Sequence, residues 1–113
     1  MVNALDRAMG IVERTSAEVG EGRWLPGMRT QNGFLWAGLV KGEKCIAFES
    51  FPGQVLFALT ADNLISARKV TAALNIIVEV VVGSEDGTGD VAMVVIGPRG
   101  RVKRIFAYLG HNL

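Results

Sequence analysis

One cysteine, Cys45, and one histidine, His111, are all the thiol and imidazole in this chain. An internal disulfide is therefore impossible, and an unpaired thiol suits a reducing compartment better than secretion. A zinc site with four nitrogen and sulfur ligands cannot be filled from one Cys and one His, and no other metal or cofactor is expected. An excess of charge of one sign is lacking too. Twelve Lys and Arg against eleven Asp and Glu leave +1, so no global field steers the molecule to nucleic acid or to acidic membranes. No run approaches the roughly 18 apolar residues of a transmembrane helix. The opening MVNALDRAMGIVER places Asp6, Arg7, Glu13 and Arg14 where a signal peptide needs an unbroken apolar core. The expected setting is soluble and cytoplasmic.

Apolar residues, by contrast, are plentiful. Half of the 113 positions are apolar, enough for one domain (residues 1–113) with its own core. That is also more than one small core readily hides, which points to a partner or to self-association. Val2, Leu5, Met9, Val12 and Val19 recur at spacings of three and four, with Ser16 in the missing step. This pattern predicts an amphipathic helix, capped by Asn3 and ended by Gly20. Residues 20–33 (GEGRWLPGMRTQNG) then hold four glycines and Pro26 without periodicity. A structureless connection of that length is usually functional or mobile.

Residues 34–40 (FLWAGLV) and 45–51 (CIAFESF) flank Lys41-Gly42-Glu43-Lys44 and predict a β-hairpin. Residues 56–59 fit either a crossover segment or an early helical turn. A second helix is expected over residues 60–74, begun by Thr60, with Leu64, Ala67, Thr71 and Leu74 in one row. Strands follow at 76–82, 91–96 and 101–109, separated by turn-forming segments. The first two are apolar on both faces apart from Glu79, so both faces need a cover. Glu79 must then lie near an edge, meet a cation or face an interface. The sum is one α+β domain in the order α-β-β-α-β-β-β, a mostly antiparallel five-stranded sheet with two helices.

No catalytic residue is assigned. His111 sits third from the end of the chain, and Cys45 has no local signature of an activating base. Gly87-Thr88-Gly89, beside Glu85, Asp86 and Asp90, lies between two strands and not before a helix, so it reads as a solvated hairpin tip rather than a phosphate loop. Three groups remain. Arg23, Trp24, Arg29 and Trp36 mix cations and aromatic rings around a sheet-edge cleft suited to a nucleotide or haem-like ligand, or else Trp24 and Leu25 simply anchor the loop on the core. Leu64, Ala67, Thr71, Leu74 and Glu79 offer a partner or oligomer interface. Arg99, Arg101, Lys103 and Arg104 put four positive charges on the last hairpin, a phosphate-contacting arrangement that Phe106 or Tyr108 could complete by stacking.

The hairpin GFLWAGLVKGEKCIAFESF, the helix ADNLISARKVTAAL and the closing meander from IIVEVVV to RIFAYL resemble, in their order, the roadblock (dynein light chain) family of small profilin-like domains. The likeness spans residues 34–109; the loop at 20–33 is an insertion relative to that pattern, and a third helix is lacking. AFESFPG followed by ARKVTAA is also similar to haem-associated profilin-like proteins. The roadblock resemblance implies a homodimer or heterodimer that scaffolds or regulates a partner such as a small GTPase, without catalysis. The leading expectation is a non-enzymatic interaction module that pairs with itself and with a protein partner. Small-ligand binding through residues 20–36 and nucleic-acid binding through residues 99–104 are the alternatives, the last opposed by the near-neutral total charge.

Overall fold

The computed structural model describes residues 9–51, 53–84 and 89–113. Seven strands form a single sheet: β1 (Met9–Glu21), β2 (Gln31–Val40), β3 (Glu43–Ser50), β4 (Val55–Leu59), β5 (Leu64–Ala72), β6 (Asn75–Gly83) and β7 (Asp90–Pro98). One helix follows, α1 (Arg99–Ala107). The strand order is β4-β3-β2-β1-β7-β6-β5, with every neighbouring pair antiparallel. Two short meanders thus flank β1, and chain-consecutive β4 and β5 end up on opposite edges.

That last point fixes the shape. Only residues 60–63 join the two edges, and so few residues reach no further than about 17 Å. The sheet must therefore curl until its edges approach. Register gives the stagger: Leu59 connects through Ile46 and Ala37 to Glu13 of β1. Leu64 connects through Val82 to Val91, beyond the pairing of Glu21 with Met93. Strands that are tilted and staggered in this way coil the sheet into an incomplete barrel. At the join, the Asn63 side chain accepts from Thr60 N (2.7 Å) and donates to the Ala58 carbonyl (3.2 Å).

The core fills the concave face. Leu35, Ala37, Ile46, Phe48, Ile76, Val78, Val80 and Val95 point inward from alternate strand positions and meet Val102, Ile105 and Phe106 of α1. Gly97 lets the chain turn from β7 into α1: a Cβ there would lie 3.0 Å from Val102 Cγ2 and 3.4 Å from the Ala17 Cβ. Because β7 pairs with β1 only over Glu18–Glu21, the earlier half of β1 runs beside α1. There Glu13 holds Arg104 (2.7 Å) and Arg101 (3.3 Å). Both guanidiniums, Arg104 first through its hydrogen bond, hold the Glu13 carboxyl below its ordinary range.

Seven strands and one helix replace the expected five strands and two helices. Residues 9–21 are a strand, not a helix: Thr15, Ala17 and Val19 are buried while Arg14 and Ser16 are exposed, a period of two. Val2, Asn3 and Leu5, on which the start of the helix rested, lie outside the described residues, as do Glu85, Asp86, Gly87 and Thr88 of the acidic tip. Residues 64–72 are β5, with register shifts between Leu64 and Ser66 and between Lys69 and Thr71. A bulge adds one residue to a strand, so inward positions there fall three apart and imitate helical spacing. The expected helical row is dispersed. Leu64 is buried and Ala67 packs on the core, but Thr71 is exposed and Leu74 sits in the β5–β6 turn, 94% exposed. The last expected strand, 101–109, is instead α1 and the turn after it.

Candidate ligand cleft

Where β1 runs out and β2, β4 and β7 begin, the curled sheet opens into a cleft of about 980 Å³. α1 occupies the concavity farther along. Val19 belongs to the main core, and Leu56, Phe57 and Met93 pack against it, so the cleft is a continuation of the apolar interior. Its polar rim carries Glu21, Arg29, Thr30 and Gln31. Met28 and Met93 both line it, and unbranched thioethers adapt readily to the shape of what lies beside them.

Residues 22–30, the loop that shapes one wall, are anchored at several points. Gly22 (φ 87°) donates to the Ala92 carbonyl at 2.9 Å, and Met28 N to the Leu25 carbonyl at 3.1 Å. The Thr30 hydroxyl donates to Glu18 Oε1 at 2.7 Å. The loop also lies close against Gly20, where a Cβ would come within 2.6 Å of Met28 Cε and 3.0 Å of the Arg29 carbonyl oxygen.

Glu79 completes the anchoring. Alternation places it on the convex face, between inward Val78 and Val80, and opposite Val94, which is fully buried. Glu79 Oε2 accepts the Trp24 amide at 2.9 Å, and Oε1 takes the Arg68 guanidinium. The amide first, then Arg68, then the more distant charge of Arg23 hold the Glu79 carboxyl below its ordinary range. Glu79 does meet a cation, and the loop tied to it lies over an outward face of the doubly apolar strands.

A carboxylate with a lowered folded pKa stabilises the fold above its unfolded pKa, and that contribution is lost as pH falls through the folded value. The Glu79 anchor is therefore complete at neutral pH and is lost only in acid, as pH falls through a folded value below the ordinary carboxylate range. With Trp36→Phe leaving Trp24 as the only indole, acidification is expected to shift the emission to the red, with a midpoint below the ordinary glutamate range. Glu79→Gln should remove that transition.

The four residues expected around one ligand are not brought together. Arg29 lines the cleft. Trp24 binds Glu79 through its backbone, with Arg23 next to it in the chain. Trp36 is buried on the opposite face of β2 from Leu35 and Ala37, clustered with Cys45, Ala47 and Val40. Its Nε1 and the Oε2 of buried Glu49 have no hydrogen-bond partner among the described residues. Burial pushes the Cys45 thiol up, so it stays protonated and unreactive. Of the four basic residues expected on a hairpin, Arg101 and Arg104 are spent on Glu13, Arg99 is exposed and Lys103 half-buried, all on a helix rather than a hairpin. His111 donates its amide to the Phe106 carbonyl at 3.1 Å. Sequence reasoning missed Val19, Leu56, Phe57 and Met93 as site residues, because only cross-strand register brings them together.

Among the described residues no three His, Cys, Asp or Glu side chains could hold a metal ion, and no helix is long and apolar enough to cross a membrane. No protein-family model, no curated protein and no solved structure matches the chain.

Proposed function

We propose that this protein binds a small, mainly apolar molecule in the cleft between the end of β1 and the starts of β2, β4 and β7. One observation carries the reading: a cleft of about 980 Å³ continues the apolar core at the end of the sheet away from α1. Ligand sites commonly measure about 300–1,000 Å³ and join apolar walls to a few placed polar groups; here Val19, Phe57 and Met93 stand beside Arg29, Thr30 and Gln31. The reading assigns no chemical step to the protein. Nile red, a neutral apolar dye, is expected to bind with a blue-shifted, enhanced emission. Met93→Trp, which fills the cleft from β7, should weaken that binding about tenfold or more. Equal binding to both proteins would remove the cleft from consideration.

A second reading, a self-associating interaction module, draws on the edge strand β5. Ile65 (51%), Val70 (37%) and Leu74 (94%) leave apolar surface exposed there and in the following turn, and among the described residues no strand pairs with the outer edge of β5. Light scattering over a dilution series separates the two readings, since only the second requires a dimer.

A further inference from the structure

Resting on the ligand-binding reading, we propose that the cleft takes an amphiphile with a single carboxylate, its apolar chain against Val19, Phe57 and Met93 and its head group on Arg29. Arg29 lines the cleft, and none of the three ion pairs among the described residues uses it. Of the six other arginines of the described residues four are engaged, while Arg23 and Arg99 form no ion pair and do not line the cleft. Arg68 holds Glu79, Arg101 and Arg104 hold Glu13, and Arg14 lies over the Phe34 ring at 4.9 Å. Glu18, whose Oε1 accepts the hydroxyl of neighbouring Thr30, forms no ion pair with Arg29 among the described residues.

The backbone of Arg29 lies close against β1, where a Cβ at Gly20 would come within 3.0 Å of its carbonyl oxygen. A guanidinium with no ion pair among the described residues, at the polar rim of a cleft with apolar walls, is complementary to a carboxylate that leads an apolar chain. Two parallel N–H···O bonds between them give direction as well as strength. Glu21 shares the rim, and its charge opposes an anionic head group, a dianion more strongly than a monoanion.

The test uses 11-(dansylamino)undecanoic acid and its methyl ester as paired fluorescent probes of equal chain length. The acid is expected to bind about tenfold more tightly than the ester, the worth of one charge-assisted contact. Arg29→Gln should collapse that ratio to about one, Arg29→Lys should keep part of it, and Glu21→Gln should raise it about two- to threefold. Acid and ester binding alike, with Arg29→Gln leaving the ratio where it was, overturns the carboxylate assignment while the cleft stands. Failure of both probes to bind overturns the cleft reading and this inference with it.

Discussion

Phe106→Ala is expected to lower the stability of the protein by about 3–5 kcal/mol, the usual cost of emptying a fully buried phenylalanine site. Phe106 has no exposed surface and faces the curled sheet together with Val102 and Ile105. The helix that carries it has little stability of its own. α1 spans nine residues, begins at Pro98 without a side-chain cap, and has no acidic residue in its first turn; helices this short do not persist alone in water. Its end is well made, with His111 N bonded to the Phe106 carbonyl, Gly110 N to the Ala107 carbonyl, and Gly110 at φ 86°. A good C-terminal cap cannot replace the apolar face, so most of what holds α1 is docking. A cost of this size is a large share of the roughly 5–15 kcal/mol available to a small domain. Urea unfolding measures it, and Leu74→Ala, almost wholly exposed in the β5–β6 turn, is the comparison expected to change stability by under about 0.5 kcal/mol.

The contrast between Phe106 and Leu74 shows what was legible in the sequence. Strands β2, β3, β6 and β7 can be read directly, because their runs of β-branched and aromatic residues are bounded by turn formers. Helix α1 was also within reach: Val102, Ile105 and Phe106 stand at helical spacing, but the Gly97-Pro98-Arg99-Gly100 turn signal suggests another hairpin. β1 and β5 mislead for physical reasons. Met9, Val12 and Val19 fit a helical stripe, while alternation is clear only from Arg14 to Val19, and two bulges in β5 break its period. The cleft is less legible still. Arg29 could be singled out as a cation within a glycine-rich loop, but its apolar neighbours come from β1, β4 and β7, and nothing local says that these strand ends converge.

Gly33→Ala is expected to cost about 3 kcal/mol or more, above the usual range for a single added methyl group. Gly33 pairs with Ala17 on one side and Ser50 on the other. A Cβ there would sit 2.2 Å from the Glu49 carbonyl oxygen and 2.8 Å from Phe48 Cζ. The first obstacle is backbone, which cannot swing aside as a side chain can. To make room, β3 must move at Glu49, where its pairing with β4 is already irregular. The second obstacle is a fully buried ring, stacked on Phe57 with centroids 5.8 Å apart and planes 13° apart. Phe57 lines the cleft, so the displacement reaches the proposed ligand site, and weaker Nile red binding should accompany the lost stability. Gly97→Ala provides the scale. Its added methyl meets the Val102 side chain at 3.0 Å, a looser approach to side chain and not to backbone, and should cost only about 1–2 kcal/mol. Urea midpoints for the two variants test this ranking directly. A Gly33→Ala protein as stable as Gly97→Ala would mean that β2 and β3 are not in such close approach at Gly33, and that the inner wall of the cleft is not held by the Phe48–Phe57 stack.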